Sequence, residues 1–492
     1  MKCLKHKKAI SGFVAVVIVF VFTFGMAMPI FAASPTNFTY TYCFRGLPNP
    51  SPDVYRVTAF ILGEHLGIGD FNNPQDLFVI DNFIYVVDTG NNRIVVLEYT
   101  EDSTHVVYQV VDHVMLDGSP STFNSPHGIF VAAWGDIWIA DTENHRILHV
   151  DSEWNVIREI THPENSLLDP GLHFIPNKLG VDHSGRLFVQ ATHVNRGLME
   201  FDRYGNFAGY MGASPVTISP IDQFWRMIAT QEQRARMPLY TPTEYNNVFI
   251  DQEGFIFVTN SNLQVDPVRR LNAMGNDILI RNGRFSIVGD LTYGTAAGIT
   301  GPSRFIDITT LPNETFVAFD RTRGRLFAYD FQGDLLFVFG GRGNREGMFI
   351  LPSAVDSMGF ALYALDAQTA AVTRFDLTEY GTLINQAILY YRQGLYDASA
   401  ESWQQVLRMN GNFGMAYAGI ARSLLRQGYY RDAMRYFQLN DDFRGYGRAF
   451  GFYRRQWMED HFWIFAIVIG TLIVVPPVVK FVLRIRREVL ES

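Results

Sequence analysis

Across residues 55–381 apolar and polar positions alternate in short runs, and one order of runs recurs six times. An opening residue, usually proline, leads into an apolar run. After a turn, a second run such as Ile84-Tyr85-Val86-Val87-Asp88 ends on a polar residue. A polar turn, a third run and a fourth run ending near glycine complete the unit. Period-two alternation bounded by Gly, Pro, Asn and Asp predicts strands, four to a unit. The openings fall at Pro74, Pro126, Pro176, Tyr245, Pro302 and Pro352, and the second runs end at Asp88, Asp141, Gln190, Thr259, Asp320 and Asp366. Third runs include residues 198–202, 269–272, 325–330 and 372–376. The run 55–60 precedes the first unit and is expected to supply the outer strand of the sixth.

Past residue 381 the pattern changes to helical spacing. Gly394-Leu395-Tyr396 recurs 34 residues later as Gly428-Tyr429-Tyr430, with Ala387 mapping to Ala421 and Trp403 to Phe437. Between the third and fourth units, Ser219-Pro220-Ile221-Asp222 reads as a helix start. Phe224, Trp225, Ile228, Gln231 and Ala235 follow in an amphipathic pattern among Arg226, Arg234 and Arg236, and Phe224 and Trp225 are expected to pack on the strands.

Two continuous apolar runs flank this body. Residues 9–31 follow Lys2, Lys5, Lys7 and Lys8 and lead to Ala32-Ala33-Ser34, the form of a secretory signal or an uncleaved anchor. Residues 462–479, about 18, reach the lower limit for a spanning helix. Arg454 and Arg455 precede this run with Glu459 and Asp460; Lys480, Arg484, Arg486 and Arg487 follow it, which points to a cytoplasmic C-terminus and an extracellular body. The expected division is a signal at 1–33, a linker at 34–54, a strand body at 55–381 with a helical insertion at 213–242, a helical region at 382–460, a span at 461–480 and a cytoplasmic basic tail at 481–492.

Composition narrows the partners. The 492 residues are 48% hydrophobic and 18% charged, as in folded chains, and the net charge of −8 lacks the basic surface nucleic acid needs. Nucleic acid is therefore excluded as the main partner. Cys3 lies in the leader, leaving Cys43 alone, so no internal disulfide can form and stability must come from burial and strand pairing.

Asp88-Thr89-Gly90-Asn91-Asn92-Arg93-Ile94 recurs as Asp141-Thr142-Glu143-Asn144-His145-Arg146-Ile147. With a period of about 40–50 residues built from short strands, this echo resembles the NHL-repeat family of six-bladed β-propellers. The likeness is partial in the fifth unit (Asp320, Arg325, Leu326) and loose in the third, fourth and sixth. It implies a scaffold role for Asp88, Asn91, Arg93, Asp141, Asn144, Arg146, Asp320 and Arg325, the aspartates holding turn amides and the arginines pairing between blades. The 34-residue offset resembles tetratricopeptide repeats. The expected fold class is mostly β: a six-bladed propeller followed by a small all-α tetratricopeptide-like domain and one transmembrane helix. Such chains resemble bacterial membrane-anchored surface proteins.

Propeller ligands bind where inner strands converge. The residues after the six openings are Gln75, His127, Asn177, Asn246, Ser303 and Ser353, all polar. The next are Asp76, Gly128, Lys178, Asn247, Arg304 and Ala354. Gln75, Asp76, His127, Asn177, Lys178, Asn246, Asn247 and Arg304 are thus the candidate ligand-binding set, and their amides suit a polar solute such as a sugar. Six-bladed relatives include lactone hydrolases and amidating lyases with a central metal. Here only His127 and Asp76 accompany the amides, so a three-histidine zinc site does not fit, a calcium-type site would be weak, and no metal or cofactor is expected. No catalytic residue is assigned. The resulting expectation is a membrane-anchored extracellular scaffold binding other membrane or cell-surface proteins, or a polar, carbohydrate-like ligand, as an accessory to solute uptake. The alternative is a surface lactonase or lyase.

Overall fold

The computed structural model describes residues 39–163, 173–214, 220–236, 242–262, 265–291 and 301–490. The expected export segment lies outside them. Six antiparallel sheets are arranged as blades whose inner strands are Asp76–Ile80, Pro126–Val131, Pro176–Val181, Asn247–Ile250, Phe305–Thr310 and Pro352–Met358. The second strands Ile137–Asp141, Leu187–Ala191, Phe316–Asp320 and Ala361–Asp366 are buried at every residue. Each is covered on both faces by neighbouring blades, which is why these runs read as nearly continuous apolar segments. Tyr55–Leu62 pairs with Ala371–Leu377, from Tyr55↔Leu377 to Leu62↔Ala371, as the outer strand of the sixth blade. The start and end of the propeller thus share one sheet, and the ring has no free seam.

Three expectations fail. Residues 34–54 are not a linker where described: Tyr40–Tyr42 and Pro48–Pro50 form a hairpin that extends the fifth blade to six strands. Tyr40 is 1% exposed there, and its hydroxyl and that of Tyr42 donate to Asp290. The fourth blade has three strands among the described residues, ending with Val268–Leu271. Its expected fourth run is diverted because the Asp277 carboxylate takes the amides of Arg270 (3.2 Å) and Leu279 (3.0 Å) and the guanidinium of Arg281 (2.8 Å). Finally, the insertion forms helices α1 (Pro220–Ile228) and α2 (Gln231–Arg236), but Phe224 and Trp225 are 52% and 54% exposed. They stack edge-on against each other and do not bury on the ring.

The helical region comprises α3 (Glu379–Arg392), α4 (Tyr396–Met409), α5 (Gly414–Gln427), α6 (Tyr430–Leu439) and α7 (Phe443–Asp460). Thr378 caps α3 through the Gly381 amide. The 34-residue echo has a backbone cause: Gly394 and Gly428 both end helices at left-handed φ, 79° and 86°, where side chains are strained. Tyr380, Ile384, Trp403, Phe413 and Ile420 share one apolar core with Val54, Tyr55, Phe337, Phe339 and Phe375 of the ring. Asn313 donates to Asn385 (2.9 Å), and Arg422 reaches Asp330 (3.2 Å) and Asp334. These ring partners sit in the first-to-second and third-to-fourth turns of the fifth blade, so the helices cap one end of the ring. Beyond them α8 (Phe462–Leu490) carries a 26-residue segment, Phe462–Arg487, that is long and apolar enough to cross a membrane.

Asp330 and Asp334 are 3% and 5% exposed, so removing their cation strands two buried carboxylates. Arg422→Ala should lower stability by about 2–4 kcal/mol and open the α4–α5 region to protease. Adding Asp330→Asn and Asp334→Asn should recover most of the loss. Melting and limited proteolysis test this; no change in either would show that the contact does not hold ring and helices together.

Candidate functional site

The turn motif serves the scaffold in four blades. Asp88, Asp141, Asp320 and Asp366 each end a second strand, and their carboxylates accept the amides of Asn72 (2.7 Å), Asn124 (2.8 Å), Arg304 (2.7 Å) and Leu351 (2.9 Å) just before the inner strand. Asn91 and Arg93 close on Asp88 at 2.8 and 2.6 Å, and Asn144 and Arg146 on Asp141 at 2.8 Å each. Thr89 and Thr142 then donate to carbonyls of the following blade, Pro126 (2.6 Å) and Pro176 (2.7 Å). The turn positions Asn92, His145, Gly324 and Ala370 all take left-handed φ, so the backbone repeats where the letters do not. In the fifth blade Arg325 turns from Asp320 to Asp290 (2.7 Å) and the Tyr40 hydroxyl (3.1 Å), tying the N-terminal hairpin in place.

Strand register corrects the axial alignment. In the fifth blade Phe305 pairs with Asp320 as Pro126 pairs with Asp141 and Pro352 with Asp366. The opening is therefore Phe305, three residues past Pro302, and the equivalents of His127 and Gly128 are Ile306 and Asp307. Ser303 and Arg304 leave the site; the Arg304 side chain is exposed and its amide serves Asp320. Asp307 enters, and Asp356 joins it from two residues beyond Ala354.

Asp76, Lys178, Asn247, Asp307 and Asp356 line a cavity of about 30 Å³ on the axis. Their polar atoms face one another or the next blade. Asp76 accepts the Ile129 amide (2.9 Å) and the Lys178 ammonium, which also donates to the Gln75 carbonyl (2.9 Å). Asp307 accepts the Val355 amide (2.7 Å) and the Asn247 side chain. Asp356 accepts the Val79 amide (2.7 Å) and the Thr309 hydroxyl (2.9 Å). Blades five, six, one and two are thus joined in succession by carboxylates. At the junction of blades two and three the same ring position is Gly128, where a Cβ would come within 2.3 Å of the Asn177 carbonyl.

The mouth is a separate layer. Gln75, His127, Asn177 and Asn246 are half-buried. Their NH groups are used locally: Gln75 on the Asn73 carbonyl (3.3 Å) and side chain (2.7 Å), His127 Nδ1 on the Ser125 carbonyl (2.8 Å), Asn177 on Thr192 (2.6 Å), Asn246 on the Phe305 carbonyl (2.9 Å). Burial holds the His127 imidazole below its usual range and so neutral. Among the described residues these four keep mainly acceptors, three amide oxygens and the His127 Nε2, with one Asn177 N–H. Such a set favours a ligand rich in hydroxyl or other donors. Among the described residues no group of three or more His, Cys, Asp or Glu converges as a metal cage.

Burial raises the Asp307 carboxyl to about 8 and Asp356 to about 7. In the unfolded chain both titrate near 4. The folded ring therefore retains protons the unfolded chain releases; this stabilisation is complete below about pH 4 and is lost as pH rises through about 8. Asp307→Asn keeps a neutral acceptor, so its stability relative to the parent should improve by roughly 2–4 kcal/mol between pH 5 and 9. Denaturant titrations across that range check it; parallel curves would contradict the buried proton.

Comparison with known proteins fits this architecture. The NHL repeat model matches residues 123–150, the second-blade motif. A probable peptidyl-α-hydroxyglycine α-amidating lyase of Caenorhabditis elegans is 24% identical over 179 residues, 34% of this chain and 47% of that protein. The chain thus spans about half the length of that relative. Among solved structures, virginiamycin B lyase from Staphylococcus aureus shares 10% identity at TM-score 0.41, over 66% of this chain and all of the other. A protein of unknown function from Bacteroides thetaiotaomicron shares 11% at TM-score 0.40, over 70% and 76%. The fold rests on the strand pairing above and not on these two likenesses. The chain is a six-bladed β-propeller that carries the NHL repeat.

Proposed function

We propose that this protein is a membrane-anchored scaffold of the outer cell surface, in which ring and helices form one rigid body that gathers partner proteins and holds a polar, hydroxyl-rich ligand at the channel mouth. The observation that carries this reading is the shared core of ring and helices, from which α7, packed through Gly445 and Ala449, leads into the apolar α8. A body fused to its anchor in this way suits the positioning of partners. The axial charges serve blade-to-blade bonding, and the acceptor-lined mouth matches the hydroxyls of a carbohydrate. An accessory role beside a solute uptake system rests on analogy with chains of the same domain order.

Sidedness rests on the leader. Arg444 and Arg448 add to Arg454 and Arg455, so four basic residues precede the apolar run and four follow it, Lys480, Arg484, Arg486 and Arg487. The flanking charges alone do not orient the span; the export segment at 1–33 does. A second reading, a surface lactonase or lyase acting at the mouth, draws on the partial match to the amidating lyase.

Two experiments separate the readings. Mild detergent extraction of native membranes should co-purify integral transport proteins with this chain; recovery of the chain alone, together with metal-dependent turnover of a lactone panel, would favour the enzyme. For the mouth, His127→Ala and Asn177→Ala should each weaken binding of an oligosaccharide by roughly five- to tenfold while the melting temperature stays unchanged. Equal loss of fold would assign both residues to structure.

A further inference from the structure

Helix α7 packs on α6 by one short face. Gly445 and Ala449 are buried, and Gly445 lies under the Phe437 ring, where a Cβ would meet it at 2.3 Å. From Arg454 to Asp460 every residue is exposed, so the second half of the helix leaves the helical body. Phe443, Phe450 and Trp457 recur at seven-residue spacing along one side, exposed by 81%, 44% and 43%. Tyr446 stacks on Phe450, and Trp457 stacks on His461 and meets Phe465 edge-on, which carries the aromatic line into α8. Arg454 lies on that same side between Phe450 and Trp457, while Arg444, Arg448 and Arg455 fall about a third of a turn or more around the helix from it. Two residues after α7 ends, α8 begins.

An aromatic stripe that carries Arg454 is exposed to water at 0.43–0.81 of its surface only if nothing covers it. The chain itself supplies the cover by leading this helix to a segment able to cross a bilayer. We propose that α7 is an interfacial helix. Its aromatic line sits at the headgroup level of the membrane that α8 enters, and its arginines engage the phosphates of anionic phospholipids. Aromatic rings with one wet and one dry side settle at that depth, and arginine stems cover apolar surface while the guanidinium meets phosphate. Anionic lipid draws juxtamembrane arginines within a Debye length. The contact would fix the tilt of the rigid body, so the capped end of the ring is held toward the membrane and the mouth away from it. This inference rests on the membrane-anchored reading of α8.

The test uses the full chain, with Cys3→Ser and Cys43→Ser, in lipid nanodiscs containing brominated phospholipid. An environment-sensitive fluorophore is placed in turn at Phe450→Cys, at Val474→Cys in α8 and at the exposed second-blade turn position Glu143→Cys at the mouth end of the ring. Quenching at 450 is expected to exceed that at 143 several-fold in nanodiscs containing phosphatidylglycerol. It should fall toward the 143 value in phosphatidylcholine alone, in high salt, or when Arg444, Arg448, Arg454 and Arg455 are changed to Gln. Quenching at 474 without quenching at 450 would overturn the interfacial helix while leaving the anchor intact. Absence of quenching at 474 would overturn the anchor itself. Protection of position 450 in native membranes but not in lipid nanodiscs would overturn the lipid contact in favour of a protein partner.

Discussion

The pairing of Tyr55–Leu62 with Ala371–Leu377 is the constraint on which the rest of the molecule depends. Six sheets arranged about an axis would leave one seam, and an unpaired seam exposes both strand edges and the apolar faces behind them. Completing the last sheet with the first strand turns a row of local hairpins into a ring that opens only by breaking a blade. It also sets the end of the last inner blade beside Val54 and Thr378, where α3 begins, so closure places the helical region and everything after it.

The axis follows from the same geometry. Inner strands converge, and their first residues must place polar backbone and side chains in a space of about 30 Å³. A buried amide without a partner costs about 1–3 kcal/mol, and Asp76, Asp307 and Asp356 meet it by accepting amides from neighbouring blades. Lys178 balances one carboxylate, and burial keeps Asp307 protonated and Asp356 partly protonated near neutral pH. A layer one residue nearer the opening retains acceptors and is where a ligand would meet the ring. In the proposed function, structure and recognition thus occupy adjacent positions of the same strands.

Much of the ring was legible because a blade needs both a period-two strand pattern and a fixed turn, and both leave letters. Asp88 and Asp141 with their asparagines and arginines are such letters, and the left-handed turn position explains why Asn92, His145 and Gly324 are acceptable there. Proline misled in the fifth blade, since Pro302 precedes the strand that Phe305 opens; aligning on Asp320 would have found Asp307. Asp356 carried no signal, being one polar residue in an ordinary strand. The hairpin at Tyr40–Tyr42 and Pro48–Pro50 was hidden by its three-residue strands and its prolines, and it is held chiefly by side chains reaching Asp290. Phe224 and Trp225 show the limit of amphipathic pattern, which states that a face is apolar but not what it meets.

Ring and helices share one core that leads on toward α8, and the first link of that chain is the closed sheet. Amide hydrogen exchange of the full chain, followed peptide by peptide, addresses that link directly. The backbone of Tyr55–Leu62 should exchange as slowly as that of Ala371–Leu377, both released only by global unfolding. Exchange of Tyr55–Leu62 at the rate of a frayed edge, while Ala371–Leu377 stays protected, would contradict a ring closed through its first strand.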